Sequence, residues 1–168
     1  MLTMNPTRLL LTRAATFAAI LLSFAPLPAR AILDLNADQI PDVWALRYSA
    51  AALDPNADAD GDGQKNSVEA AAGTDPLQPG SVIKITAVTV DAGAVHLTFP
   101  TEEGKRYQIQ TAATLVSPVW TDLGTPRVPD GSGSLTVTND EANATALFYR
   151  VTVQDIDSDG DGVNDWEE

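Results

Sequence analysis

The 168-residue chain contains no cysteine, a single histidine and only ten basic residues. Without cysteine it has no disulfide and no thiolate ligand for zinc, and His96 alone cannot complete a Cys/His catalytic or metal centre. The ten bases face 23 acids, which leaves a formal net charge of −13. Because such a charge repels nucleic acids and anionic membranes, we expect neither as a partner.

Acidic residues are also missing from the first 31 positions. Arg8 and Arg13 precede a short apolar run over 14–22, and a proline-containing stretch ends in Ala29-Arg30-Ala31. This order is typical of a secretory signal peptide cleaved after Ala31, with an uncleaved amphipathic anchor as the alternative. We therefore predict a secreted protein, extracellular or at the cell surface, with the periplasm as a further possibility. No stable membrane span is expected after cleavage.

The middle of the chain, residues 81–154, alternates apolar with polar residues over several short runs, as in Val95-His96-Leu97-Thr98-Phe99. Turn signals at 91–93, 103–104 and 129–133 separate these runs. Period-two alternation between turn signals predicts a small antiparallel β-sandwich. Two helices are predicted before it, at about 41–52 and 66–72, and Gly73 is a suitable stop for the second.

The acids that remain are clustered within 34–42, 58–69 and 157–168. In each cluster, Asp or Asn residues stand at alternate positions, which is the spacing of calcium-binding loops. The predicted fold class is therefore α+β and multi-modular: a short loop–helix calcium module, a small antiparallel β-sandwich and a truncated calcium loop. The predicted division is a signal peptide over 1–31, the calcium module over 32–80, the sandwich over 81–154, and the start of another calcium loop over 155–168.

The second cluster, here called loop 2 (residues 58–69), has the full spacing of a twelve-residue calcium loop. Calcium is a hard cation that takes six to eight oxygen ligands, and short acidic side chains at alternate positions converge on it inside a tight turn. Gly63, at position 6, permits the left-handed backbone of that turn. The predicted ligands at positions 1, 3, 5, 7 (through the backbone carbonyl), 9 and 12 are Asp58, Asp60, Asp62, Gln64, Asn66 and Glu69.

Loop 3 (residues 157–168) repeats the full pattern, with Gly162 at position 6. Its predicted ligands are Asp157, Asp159, Asp161, Val163, Asp165 and Glu168. Loop 1 (residues 34–45) is a weaker copy with Gln39 at position 6 and Ala45 at position 12. Its predicted ligands are Asp34, Asn36, Asp38, Ile40 and Asp42. Loop 1 binds calcium weakly, borrows an acid from Asp54 or Asp58, or binds none; the sequence leaves these alternatives open.

The three loops resemble those of thrombospondin type 3 repeats and of EF-hand-like, dockerin-like modules in secreted bacterial proteins. The matching strings are DLNADQIPDVW, DADGDGQKNSVEAAAGTDP and DSDGDGVNDWEE. The resemblance implies that each loop wraps a calcium ion, leads into a short helix and pairs with a neighbouring loop. The strings RYQIQTAATLVSPVWTDLG and FYRVTV resemble small fibronectin-III-like or immunoglobulin-like modules, a fold-level analogy.

The predicted function is that of a secreted calcium-binding structural or interaction protein, adhesive or a spacer. Because loop 3 ends at Glu168 without a following helix, we expect the chain to be the N-terminal part of a larger protein. The alternative is a dockerin-like or carbohydrate-binding accessory region of a secreted hydrolase, with an extracellular protein or polysaccharide as partner. An enzyme is not expected, since calcium spacing accounts for most clustered acids. Tyr107 and Trp120 are expected in the sandwich core or at its rim, with the core favoured, rather than on a sugar-binding platform.

Overall fold

The computed structural model describes residues 33–140 and 147–168, so the predicted signal peptide lies outside the described residues. Two short helices precede six strands. They are α1 (Asp42–Arg47), α2 (Asn66–Ala72), β1 (Ala87–Asp91), β2 (Ala94–Thr101), β3 (Lys105–Ala112), β4 (Thr121–Asp122), β5 (Gly133–Asn139) and β6 (Phe148–Asp155). Within the described ranges, the helices are too short or too polar to cross a membrane.

The strands form two antiparallel three-stranded sheets, in the orders β1-β2-β5 and β4-β3-β6. Val95, Leu97 and Phe99 are buried on one face of β2, and they share a core with Tyr107 and Ile109 of β3. His96 lies on the opposite face, where its ring contacts the Thr138 hydroxyl at 2.9 Å. The prediction of short antiparallel strands is confirmed, and burial alternates along β2 and β6, whereas every residue of β1 is exposed.

The turn between β1 and β2 shows how the sequence sets strand register. Asp91 pairs with Ala94, which leaves Ala92 and Gly93 as a two-residue turn with φ values of 48° and 92°. Two successive positive φ values are the signature of a type I′ turn, whose twist matches that of the flanking strands. This turn aligns Val88 with Leu97 and Val90 with Val95, so the two valines share a sheet face with core residues of β2 but are themselves exposed.

Helix α1 is shorter than predicted, because it ends at Arg47 and not near residue 52. Ser49 takes a left-handed conformation with φ of 56°, and the Ala50 amide donates to the Ala45 carbonyl at 2.8 Å. These are the marks of a Schellman motif, which usually ends on glycine. Because this position holds serine, the sequence gives no signal that the helix ends here. Helix α2 has the predicted bounds, and Gly73 (φ 78°) caps it.

A second apolar cluster lies away from the sandwich core. Trp44 and Ala45 of α1 pack there with Ala70 of α2, and two contacts tie the helices together. The Trp44 indole donates to the Thr74 carbonyl at 2.7 Å, and the Tyr48 hydroxyl donates to the Gly73 carbonyl at 2.9 Å. The buried members of this helical cluster are Ile40, Trp44, Ala45, Ala50, Ala70 and Trp166.

Trp166 joins the two ends of the described chain, since it lies in loop 3 but packs in the helical cluster. Its ring stacks on Tyr48 with 6.4 Å between centroids. The sequence division assigns residues 32–80 and 155–168 to separate modules and leaves loop 3 without a partner. That division remains a prediction, but loop 3 is packed against the helices rather than isolated.

Candidate metal centre

Loop 2 is organised by hydrogen bonds from its own backbone to its aspartates. The two carboxylate oxygens of Asp58 accept from the amides of Gly61 and Gly63, at 2.7 and 2.9 Å. Gly61 and Gly63 have φ values of 81° and 97°, where a side chain would be strained. Asp60 and Asp62 each accept from the amide two residues further on, at 3.1 and 2.7 Å. The glycines thus bend the backbone so that three carboxylates face one point.

The three aspartates of loop 2 are close enough to share one cation. One oxygen from each of Asp58, Asp60 and Asp62 lies within 4.8 Å of the others. Oδ2 of Asp60 and Oδ2 of Asp62 are buried and have no hydrogen-bond partner within the described residues. Burial raises the pKa of Asp60, and the neighbouring Asp62 and Asp58 add to this effect. Oxygens that are withdrawn from water and lack donors are suited to a metal ion.

Glu69 completes this arrangement from the first turn of α2. Its side chain is 1% exposed, and neither carboxylate oxygen has a hydrogen-bond partner in the described part of the chain. Its pKa is raised to about 8, mainly by desolvation and in addition by repulsion from Asp60, Asp62 and Asp58. A buried carboxylate beside three others is costly unless a cation neutralises it. The donor set of loop 2 therefore fits calcium, whose preferred ligands are oxygens of this type.

Asn66 closes loop 2 in a way that sequence reasoning did not anticipate. Its side chain is fully buried, donates to the Asp54 carbonyl at 2.7 Å and accepts from the Ala59 amide at 3.3 Å. Its own amide donates to the Ala57 carbonyl at 2.8 Å. Asn66 thus fastens the two ends of the loop together, while its predicted role as a ligand remains a prediction.

Loop 3 has the same internal hydrogen bonds at the same positions. The oxygens of Asp157 accept from Gly160 and Gly162, at 2.6 and 3.2 Å, as those of Asp58 do in loop 2. Asp159 and Asp161 again accept from the amides two residues on. One oxygen from each of these three aspartates lies within 4.8 Å of the others. The two loops therefore present equivalent sets of carboxylates, although those of loop 3 are exposed.

The last two predicted acidic ligands of loop 3 differ in their roles. Asp165, at position 9, accepts from the Ser158 amide and hydroxyl at 2.7 and 2.6 Å, and these bonds lower its pKa. Asp165 therefore closes loop 3 as Asn66 closes loop 2. Glu168 is exposed, and repulsion from Asp159 is the main cause that raises its pKa. Its role as a ligand remains a prediction.

Loop 1 keeps much of the same backbone pattern without the glycines. Gln39 at position 6 has φ of 74° and donates its amide to Asp34 at 3.0 Å, and Ala37 at position 4 has φ of 58°. The amides of Ile40 and Leu35 donate to the carboxylates at positions 5 and 9, as their counterparts do in the other loops.

The ligand set of loop 1 is poorer than that of the other loops. The Asn36 side-chain amide donates to Asp38 at 2.8 Å, which places a donor among the predicted ligands. Position 12 is Ala45, which packs in the helical cluster and supplies no oxygen from its side chain. Of the two acids considered as borrowed ligands, Asp58 is bonded within loop 2, and Asp54 accepts from the Asn56 amide at 2.8 Å.

The two aromatic residues considered for sugar binding have different environments. Tyr107 is fully buried in the sandwich core, as expected. Trp120 is half-buried and lies outside the core cluster, which is compatible with the expected position at the rim and not with one in the core itself. Its ring faces the Arg150 guanidinium, which lies 4.4 Å from the ring centroid. The period-two pattern does not extend to Trp120, because β4 begins only at the next residue.

The geometry of loop 2 agrees with an independent comparison of the sequence. Residues 58–79 match the bacterial TSP3 repeat. This TSP3 segment comprises loop 2, helix α2 and the turn after it, so the predicted thrombospondin type 3 likeness is confirmed there. TSP3 repeats are structural calcium-binding modules rather than catalytic ones, and the match therefore indicates a calcium-binding structural protein.

Other comparisons add no relatives. Neither the curated proteins nor the solved structures give a significant match to the chain. The fibronectin-III-like likeness of the middle segment remains a prediction.

Proposed function

We propose that this chain is a secreted structural protein in which calcium ions, held by loops 2 and 3, stiffen the helical segment that precedes the sandwich. The observation that carries the proposal is Glu69. Its two carboxylate oxygens are buried and, like Oδ2 of Asp60 and Oδ2 of Asp62, receive no hydrogen bond from any residue that the structure describes. A divalent cation would neutralise this cluster and satisfy the oxygens together.

In loop 2 the chain's own residues prepare the site. The Gly61 and Gly63 amides orient Asp58, and the Asn66 bridge to Asp54 holds the loop closed. The side chains of Asp58, Asp60, Asp62 and Glu69 would hold the ion, with the Gln64 carbonyl as a further ligand. Calcium supplies the charge that lets these carboxylates stay ionised side by side.

Loop 3 is proposed as a second site and loop 1 as a structural copy. The carboxylates and backbone hydrogen bonds of loop 3 repeat those of loop 2, which supports a second ion. In loop 1, the Asn36 donor and Ala45 support the opposite conclusion. Loop 1 instead contributes Ile40 and Ala45 to the helical cluster. An acid at position 12, in place of Ala45, would be buried among apolar side chains there.

Calorimetric titration of the chain after residue 31 tests the proposal. Calcium should bind at two sites, and Glu69→Gln should weaken one of them without changing the other. Glu103→Gln is the matched control, since this exposed glutamate lies in the turn between β2 and β3 and outside the three loops. Absence of heat and of any thermal shift at millimolar calcium, the weak end of the range for extracellular modules, would overturn the proposal.

We further propose that residues 81–154 form an immunoglobulin-like or fibronectin-III-like spacer. The strand order supports this, since the first, second and fifth strands share one sheet and the third and sixth share the other, as strands A, B, E and C, F do in such sandwiches. The signal-peptide pattern of residues 1–31 supports secretion.

The alternative, a carbohydrate-binding accessory region, finds its support in Trp120, which lies outside the core. An aromatic ring accessible at a sheet edge can stack on sugars, but Arg150 already covers one face of this ring. Affinity electrophoresis in soluble polysaccharides would show retardation of the chain that Trp120→Ala removes. Unchanged mobility in every polysaccharide would contradict the carbohydrate-binding alternative, and only the structural function would remain.

A further inference from the structure

Trp166 packs in a space that is open because two neighbouring residues, Gly73 and Gly104, have no side chain. A Cβ atom placed on Gly73, at the end of α2, would lie 2.5 Å from Nε1 of Trp166. A Cβ atom on Gly104, between β2 and β3, would lie 2.5 Å from the Trp166 backbone nitrogen. Both distances are too short for real contacts, so loop 3 approaches the helices and the sheets more closely than any side chain at these positions would permit. We call the space between Gly73 and Gly104 the Trp166 seat.

The seat also joins the helices to the sandwich through a buried lysine. Lys105, at the start of β3, is 2% exposed and donates to the Ala71 carbonyl of α2 at 3.1 Å. It forms an ion pair with Asp155 at the end of β6. Its ammonium group lies 5.1 Å from the centroid of the Trp166 ring, and the Arg47 guanidinium lies at the same distance. The indole thus packs where α1, α2, β3 and β6 meet, and it is 8% exposed.

The position of Trp166 depends on the closure of loop 3. Its amide donates to the Asn164 side chain at 3.1 Å, and the amide of Asp165 donates to the Ile156 carbonyl at 2.7 Å. The Ile156 amide donates in turn to the Gly104 carbonyl at 3.2 Å. Both ends of loop 3 are therefore fastened next to the seat, and the indole projects from the closed end.

Closure of loop 3 is opposed by its own charges. Asp157, Asp159 and Asp161 bring carboxylate oxygens within 4.8 Å of one another. Three carboxylates in one turn repel unless a cation neutralises them. A cation in loop 3 therefore favours the closed loop, and the closed loop is the one that holds Trp166 in its seat.

We propose that Trp166 is a calcium-dependent latch between the helical segment and the sandwich. Calcium in loop 3 seats the indole between Gly73 and Gly104, and removal of calcium releases it. The inference rests on the proposed calcium site of loop 3. Because coupling between two events is reciprocal, damage to the seat must weaken calcium binding at loop 3 even though no ligand is altered.

Fluorine NMR of the chain labelled with 5-fluorotryptophan tests the latch directly. The chain has three tryptophans, and Trp166→Phe and Trp120→Phe assign their signals. Calcium should change the chemical shift of the Trp166 signal. It should also reduce the solvent isotope shift of that signal, because the indole becomes buried. Asp159→Asn should abolish this response. If the Trp166 signal does not respond to calcium while calorimetry shows that loop 3 binds the ion, the latch proposal is wrong and the calcium proposal still holds.

A second variant tests the reciprocal effect without touching a ligand. Gly104→Ala places a methyl group in the seat, and we expect it to weaken calcium binding at loop 3 by about fivefold or more. Gly124→Ala is the matched control, since Gly124 has nearly the same φ (65° against 68°) but no atom of the described residues within 4 Å of its Cβ position. Equal affinities for the two variants would overturn the latch. If Asp159→Asn leaves the calorimetric sites unchanged, loop 3 is not a calcium site and both proposals for it fail.

Discussion

At the scale of single residues, Glu69 combines burial with repulsion, and its protonation decides how the fold responds to pH. Its pKa rises from 4.5 to about 8 in the calcium-free fold, with desolvation as the main cause. The folded state therefore binds a proton more tightly than the unfolded state does, between pH 4.5 and about 8. A group of this kind lowers the free energy of unfolding as the pH rises through that window.

We therefore predict that the calcium-free chain loses thermal stability between pH 5 and 8, and that Glu69→Gln reduces this loss. Calcium competes with the same proton, so its affinity for loop 2 should rise over the same window and level off above pH 8. Differential scanning calorimetry in a chelator and calcium titrations at several pH values would measure both effects. If Glu69→Gln alters the pH profile no more than the control Glu103→Gln does, the assignment of the pH dependence to Glu69 is contradicted.

Gln39 illustrates strain at a single position in loop 1. Its φ of 74° is stabilised by the hydrogen bond that its backbone amide donates to Asp34. Loops 2 and 3 have glycine at the equivalent position. We expect Gln39→Gly to raise the free energy of unfolding by about 1 kcal/mol, because a left-handed conformation costs a non-glycine residue roughly 1–2 kcal/mol. Urea denaturation in a chelator would measure this. Gln39→Ala, which keeps a Cβ atom, should give no comparable gain, and equal gains would refute the strain argument.

At the scale of elements, the backbone of the acidic loops and the strands were more predictable than the end of helix α1. The loop pattern is local, since aspartates bond to amides only two to five residues away, and strand alternation records burial directly. Helix α1 was predicted too long because Ser49 adopts the left-handed conformation that glycine usually takes. The packing of Trp166 against Gly73 and Gly104 was not predictable, because it joins residues far apart in the chain.

The end of α1 provides a test at this scale. Ser49→Gly should stabilise the chain by roughly 0.5–1 kcal/mol, since glycine adopts the left-handed position of a Schellman motif without strain. Ser49→Ala changes the same position but cannot relieve the strain, so it serves as the matched control. Both are measured by urea denaturation monitored through tryptophan fluorescence. A gain with alanine equal to that with glycine would show that the backbone conformation of Ser49 is not the cause.

At the scale of the whole molecule, two apolar clusters of unequal strength are joined at Lys105 and Trp166. The sandwich cluster draws on strands of both sheets and is held by continuous ladders of backbone hydrogen bonds. The helical cluster rests on two helices of six and seven residues. Helices of this length are unstable alone in water. We therefore expect the proposed calcium ions to stabilise the helical segment more than the sandwich.

We predict that calcium changes the unfolding of the chain from two steps to one. In a chelator, the near-ultraviolet circular dichroism of Trp44 and Trp166 should be lost at a lower temperature than the far-ultraviolet signal of the strands. With calcium at about a hundred times its dissociation constant, binding adds about 2.7 kcal/mol per site, and the two transitions should merge. Magnesium at equal ionic strength is the control, because it requires a stricter octahedral geometry. Coincident transitions in the chelator would mean that the helical segment is stabilised by packing alone, since its unfolding would then depend on the sandwich and not on the ions.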